Sequence, residues 1–597
     1  MARLRLGLAA AAAIIAAVEA PAGPAIADDP KAIIEGVQDK SLRQAIAAYI
    51  GTSKRPPQSR FEARRRAEEA AEDAAIVLRS EGYYDYTVVP DVSSGDKPRP
   101  VLRVDPGPRS TIAAPQVSYV DAPPATKAQA DVTAAMQLKP GGPGRAADVV
   151  AAEGRIVAAL QKDGYADASS GQREVVVDHA SHTLQPTFRI GVKGLVRLDG
   201  VQVKTTGRTD PRWVAGLAPW RSGQTYEPDK VAELERRLLD TGVYSAVTVS
   251  LAPESGPDGL RPVVVSLADR SKARISLGGS YSTREGPGVN GTFALYNRLH
   301  RADTITLSAQ YASILKRLDL DFSFPHWRRP QRTLELGATA YQDDTTAFRE
   351  RDVGVHVDLV RRFHKTSFFT YGLSADYSDD QEKTLVGAQI IGRQRRLELL
   401  TGLVRLSLDR SDNPLDPKRG WRFDGRVEPT YGVGGGSPVY AKAQTQVTGY
   451  LPFDKAGSTV LAGRLLFGSI LSGDATLDVP ASRRFYAGGG GSIRGFGYQA
   501  VGPRFPDNTP IGGESVIEGS VELRQKVGAH LGLVGFVDAG TVSAQKYPDF
   551  HTASIGAGVG VRYDLGFGPL RGDIGVPVNR RKGDAPFQVY ISIGQAF

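Results

Sequence analysis

The sequence predicts three α+β repeats followed by an antiparallel, roughly 16-stranded transmembrane β-barrel. Three features carry the prediction: an apolar leader, a change near residue 271 from helix-bearing to purely strand-like patterning, and an alternating C-terminal segment.

The leader comes first. Arg3 and Arg5 precede an apolar run from Leu6 to Val18, and Ala25-Ile26-Ala27 is a small-residue cleavage pattern before Asp28. Residues 1–27 therefore read as a secretory signal peptide, too short in its apolar core to anchor the chain. No later stretch reaches the roughly 18 consecutive apolar residues a membrane helix needs, which excludes a helical membrane protein. The chain has 0 cysteines, so export to an oxidising compartment brings neither disulfides nor thiolate chemistry. The formal charge of +9 is moderately basic and compatible with an anionic lipid surface. Nucleic acid is not an expected partner outside the cytoplasm.

From Asp28 to about Asp269 a similar passage recurs. A helical stretch ends in Leu78-Arg79-Ser80-Glu81-Gly82-Tyr83, in Leu160-Gln161-Lys162-Asp163-Gly164-Tyr165, and in Leu239-Asp240-Thr241-Gly242-Val243-Tyr244. Each helix runs into a glycine, where the left-handed conformation is least strained, and an aromatic residue leads towards a strand. The glycines recur roughly every 80 residues, one small module each. The predicted boundaries are 28–110, 111–194 and 195–270, with a barrel over 271–597.

The barrel rests on alternation. Ala273, Ile275, Leu277 and Tyr281 form one face of the first strand, 272–283, and Arg274, Ser276 and Ser280 the other. In the last strand, 587–597, Phe587, Val589, Ile591, Ile593 and Phe597 share the apolar parity with Gln595. Gln588, Tyr590, Ser592, Gly594 and Ala596 share the small or polar parity. A period of two with one greasy and one wet face is a strand between lipid and an aqueous lumen. Strands are also expected at 304–312, 367–377, 395–408 and 515–527, among others. One connection, between about 469 and 515, is near 45 residues long without strand patterning, a length that marks a functional loop.

That loop carries Ile493-Arg494-Gly495-Phe496, which resembles the signature motif of the BamA/TamA superfamily of outer-membrane assembly proteins. Gly535-Phe536-Val537-Asp538-Ala539-Gly540 resembles its barrel-strand motif, and Asp409-Arg410-Ser411-Asp412-Asn413-Pro414 through Gly420 its strand-turn element. The elements stand in the family's order, and Phe597 matches its C-terminal strand signal. The N-terminal repeats resemble its periplasmic POTRA modules (strand, two helices, two strands), and three modules is the number of the TamA-like branch.

The resemblance implies an outer-membrane location, a loop folded into the lumen, and Arg494 paired with Asp538, with Glu522 nearby and Glu518 as a second candidate. It implies a lateral gate between the first and last strands. Gly278 and Gly279 in the first and Gly594 in the last would weaken the pairing, with Ile275, Ile593 and Phe597 along the same seam. The implied activity is insertion or secretion of β-barrel and autotransporter clients, with unfolded outer-membrane proteins, membrane lipid and a TamB-like inner-membrane-anchored protein as partners. A two-partner-secretion-type pore exporting a dedicated substrate is the alternative. No cofactor, metal or enzymatic activity is expected. The eight histidines show no ligand spacing, no G-x-S-x-G elbow stands out, and Gly495–Ala500 matches a dinucleotide pattern without the strand and helix it requires.

Overall fold

The computed structural model describes residues 29–53, 55–95, 97–204, 207–282, 286–364, 366–472, 478–565 and 569–593. The predicted leader, Gly594 and Phe597 lie outside the described residues. The chain divides into two compact units. One comprises the N-terminal residues to Asp199 with Trp220–Asp229 and Glu254–Arg261. The other comprises Gly200–Pro219, Lys230–Pro253 and the chain from Pro262 onward.

In the first unit, helices α1 (Lys40–Ile50) and α2 (Arg60–Ser80) cover a three-stranded sheet whose middle strand is Pro100–Asp105. Ala63, Ala67, Ala70, Ala74 and Leu78 recur at three- and four-residue spacing and form the buried stripe of α2. Ser59 caps its start by accepting from the Glu62 amide. Its end is a glycine turn: Gly82 has φ +92° and the Tyr83 amide donates back to Leu78 O at 2.9 Å. The same turn closes α4 (Ala146–Lys162), which follows α3 (Thr126–Met136): Gly164 has φ +102° and Tyr165 donates to Leu160 O. The central strand there, Thr183–Gly191, buries Leu184, Phe188 and Ile190 against Ile156 and Leu160.

The second unit contains most of a further small sheet, with Arg261–Asp269 as its middle strand, and a sheet of 16 strands. These are β1 (Ala273–Ser282), β2 (Gly286–Tyr296), β3 (Thr304–Ala312), β4 (Leu315–Phe324), β5 (Arg332–Asp344), β6 (Phe348–His364), β7 (Ser367–Val386) and β8 (Gln389–Asp409). There follow β9 (Gly420–Val433), β10 (Val439–Pro452), β11 (Thr459–Ser472), β12 (Ser515–Val527), β13 (Leu531–Ser543), β14 (Ser554–Asp564), β15 (Pro569–Pro577) and β16 (Gln588–Ile593). Each strand is antiparallel to its sequence neighbour. β1 lies beside β16, but among the described residues no ladder joins them. Burial is inverted relative to a water-soluble sheet: Leu277 is 85% exposed on the outside whereas Glu522, Asp538 and Asp573 are buried on the inside. That inversion suits a lipid-facing exterior.

β7 and β8 correct the sequence expectation. They run on to Val386 and back from Gln389, well past residues 377 and 395 where alternation stops. Ser378-Asp379-Asp380-Gln381-Glu382-Lys383 is polar on both faces, so no period of two is visible. The ladder continues regardless, from Ser378↔Leu397 to Val386↔Gln389, because backbone pairing needs no apolar face once a strand rises out of lipid.

Candidate functional site

The connection between β11 and β12 folds back against the inner wall. Its apolar side chains, Phe485, Ala487, Ile493, Phe496 and Val501, form one buried cluster with Val516 of β12 and Val542 of β13. Two groups of charges hold the loop.

The first group centres on Arg494, which is 1% exposed. Its Nε and Nη2 donate to both oxygens of Asp538 at 2.7 and 2.8 Å, the forked geometry that suits a guanidinium. Nη1 reaches Glu522 at 2.9 Å and Asp573 at 3.2 Å, and the Arg494 amide also donates to Asp538 at 3.0 Å. The guanidinium lies 3.4 Å from the centroid of the Phe536 ring. Arg524, Arg562 and Arg571 complete the network: Arg524 pairs with Glu522, Arg571 with Asp573, and Arg562 with both. Three carboxylates thus face four arginines, and each charge has a partner, which a buried cluster requires.

Backbone fit brings the arginine close. A Cβ on Gly556 of β14 would stand 1.7 Å from Arg494 O. Gly495 has φ +98°, and a Cβ there would meet Val576 O at 2.6 Å. Glycine at both positions lets the loop backbone lie directly on the wall. The last strand takes part as well: Tyr590 of β16 accepts from the Gly495 amide at 3.0 Å and donates to Phe496 O at 2.8 Å.

The second group holds the start of the loop to other strands. Arg483 pairs with Glu350 at 2.8 Å and Asp352 at 3.1 Å on β6. On β7, Glu382 accepts from the Ala481 amide at 2.7 Å and from Arg484 at 3.4 Å, and Asp380 accepts from Ser482 at 2.8 Å. The loop is therefore pinned to β6–β7 and to β12–β16.

Of the expected site residues, Ile493, Arg494, Gly495 and Phe496 gather with Asp538 and Glu522. Glu518 does not pair with Arg494; it is taken by Arg464 and by Ser492 at 2.5 Å, because the Arg494 fork is already filled by Asp538 and Glu522. Ile275, Gly278 and Gly279 lie on β1, and Ile593 ends β16. Asp573, Tyr590 and the carboxylates facing Arg483 were not expected. Asp573 and Tyr590 each sit at the polar parity of their strand, a signal the sequence carries. Glu382 and Asp380 lie where alternation had faded. Among the described residues no cluster of potential metal ligands occurs.

A family model described as the Omp85 superfamily domain matches residues 297–597. The chain belongs to the Omp85 superfamily. As an Omp85 protein it resides in the bacterial outer membrane, with its POTRA-like α/β region in the periplasm. It is 26% identical over 445 residues to the outer membrane protein assembly factor BamA of Nitratidesulfovibrio vulgaris, covering 73% of this chain and 55% of that one. It is 26% identical over 330 residues to the sorting and assembly machinery component 50 homolog of Mus musculus, covering 53% of this chain and 68% of that one. This Omp85 chain spans about half the length of the BamA relatives it matches. The crystal structure of Haemophilus ducreyi BamA lacking POTRA domains 1–3 superimposes with a TM-score of 0.66 at 18% identity. The match covers 81% of this chain and 99% of that one and shows a shared fold.

Proposed function

We propose that this protein inserts or secretes outer-membrane β-barrel and autotransporter clients by opening the wall between β1 and β16. No cofactor enters this reading. An unzipped seam exposes backbone N–H and C=O groups that lipid cannot satisfy, and a client's terminal strand satisfies them by adding to the edge. The observation that carries the reading is the asymmetry of the wall: fifteen neighbouring strand pairs form ladders, while β1 and β16 share none among the described residues. Gly278 and Gly279 bring no side-chain packing to that edge. The pinned loop occupies the lumen, which favours a route through the wall over one along the barrel axis.

On this reading residues 28–110, 111–194 and 195–270 are three POTRA modules of the TamA-like type, and the modules receive a TamB-like inner-membrane-anchored protein. Site-specific photo-crosslinkers on the modules would capture that partner. The gate is tested in the cysteine-free chain. Ile275→Cys is combined with Val589→Cys or Ile591→Cys until a pair oxidises, which requires Cα atoms about 4.4–6.8 Å apart. Oxidised protein should retain its folded, heat-modifiable mobility yet stop inserting an unfolded barrel client, and reduction should restore insertion. Unimpaired insertion by fully cross-linked protein would overturn the gate.

A further inference from the structure

The outer surface of the barrel carries a furrow beneath a basic rim, built from side chains of the parity opposite to those that hold the loop. Strand register builds it. Outward residues Gly291, Ala309 and Ala340 lie in one transverse row with Leu277, Leu318 and Val353: Leu277 pairs with Gly291, Gly291 with Ala309, Ala309 with Leu318, Leu318 with Ala340 and Ala340 with Val353. Small side chains between large ones hollow the wall, and Tyr311 deepens one flank. The furrow encloses about 1180 Å³, above the roughly 300–1,000 Å³ of an ordinary small-molecule pocket. Its walls are exposed, with Leu277 at 85% and Val353 at 61%, so in a membrane acyl chains fill it.

The next row changes character. Lys316 pairs across the sheet with Gln342, Gln342 with Arg351, and Arg351 with Asp379. All share the outward parity of the furrow below, and two strand spacings set the Lys316 and Arg351 Cα atoms about 10 Å apart. Among the described residues neither cation has a carboxylate at ion-pair distance. Asp379 accepts from Gln394 at 2.8 Å. Lys316 is held over the Tyr311 ring, 5.5 Å from its centroid, which orients it without neutralising it.

The level of this row follows from connectivity. β1 starts directly after the periplasmic α/β region, so the β3–β4 and β5–β6 turns face the cell exterior. Lys316 is the second residue of β4 and Arg351 stands near the start of β6, close to those turns. Apolar outward residues begin immediately below. The row therefore marks the outer-leaflet boundary, where a cation without a carboxylate partner meets headgroups.

We propose that this furrow is a binding site for a phosphorylated glycolipid of the outer leaflet. Its acyl chains lie across Gly291, Ala309 and Ala340, its phosphates are held by Lys316 and Arg351, and the Gln342 carboxamide hydrogen-bonds the sugar between them. Two separated cations bridged by a neutral donor suit a headgroup with more than one phosphate and with hydroxyls. The site needs only the barrel in its membrane and stands whether or not the β1–β16 seam opens.

The test uses the full chain in nanodiscs containing either bisphosphorylated lipid A or phosphatidylglycerol, followed by detergent extraction and native mass spectrometry. Wild-type protein should retain lipid A in preference to phosphatidylglycerol. Lys316→Ala with Arg351→Ala should retain it about 30-fold less, the effect of two cations near a charged surface. Ala340→Phe, which fills the furrow and leaves both cations in place, should also lose it, and all variants should keep heat-modifiable mobility. Equal lipid A retention by wild type and the double variant overturns the site. So does equal retention of phosphatidylglycerol, which would make the rim a general anionic surface.

Discussion

Removing Arg494 tests the loop site most directly, because its partners differ in what they lose. In Arg494→Ala, Glu522 keeps Arg524 at 2.9 Å and Asp573 keeps Arg571 at 2.5 Å. Among the described residues Asp538 keeps only Ser520 as a side-chain partner and becomes a buried, uncompensated carboxylate. Breaking a buried pair from one side costs about 3–5 kcal/mol. At about 1.4 kcal/mol per decade, the population with the loop out of the lumen rises by roughly two to three and a half orders of magnitude. The readout exploits the absence of native cysteine. Ala487→Cys lies buried in the loop cluster, 1% exposed, so its maleimide labelling rate in folded protein reports loop release. Labelling should accelerate about a hundredfold or more in the Arg494→Ala background, while Arg410→Ala, at an exposed arginine, changes it little. Adding Asp538→Ala to Arg494→Ala should recover part of the loss, since the orphaned charge disappears with it. A rate within about twofold of the parent would refute the ion-pair account, because even 1 kcal/mol moves an equilibrium about fivefold.

Three further outcomes follow from the same geometry. Gly556→Val places a side chain where Arg494 O now lies 1.7 Å from an ideal Cβ, so the loop must lift, and planar-bilayer conductance should rise above the parent's. Tyr590→Phe removes the hydroxyl that bonds Gly495 and Phe496 and should destabilise the folded barrel by about 1–3 kcal/mol in urea titration, the scale of leaving buried backbone groups unpaired. At the periplasmic end, within the second unit, His326 uses both ring nitrogens. Nδ1 accepts from the Gln331 amide at 3.0 Å, and Nε2 bonds Arg237 O at 2.9 Å. Burial holds the His326 pKa below its ordinary value, so the unfolded turn binds the proton more readily. The contribution of this contact is therefore full above pH of about 6.5 and is lost as pH falls below it. Hydrogen exchange over 325–331, expressed relative to the intrinsic amide rate at each pH, should lose protection between pH 7.5 and 5.5 in the parent but not in His326→Phe, and identical pH dependence of protection in both would refute the assignment.

Much of this molecule was legible in the sequence, for physical reasons that differ along the chain. Strand alternation in the barrel is legible because lipid and lumen impose opposite demands on successive residues, so Thr304–Ala312 and Ser515–Val527 were expected at their observed limits. The glycine turns at Gly82 and Gly164 are legible because only a positive φ ends those helices as they end. Arg494 and Asp538 came from motif resemblance, since 44 residues separate them and no local pattern couples them. Where both faces of a strand are polar, as from Ser378 to Lys383, the sequence was silent and the ladder alone extends β7 and β8.

Residue patterning alone specifies the wall: how many strands, which parity meets lipid, and that one long connection must go somewhere other than across the sheet. Which carboxylates receive the loop is a choice made in the folded barrel. That choice depends on register, which brings Glu522, Asp538 and Asp573 from three strands to one guanidinium and hands Glu518 to Arg464. It depends equally on the missing side chain at Gly556, which lets the loop backbone come close enough for the charges to meet.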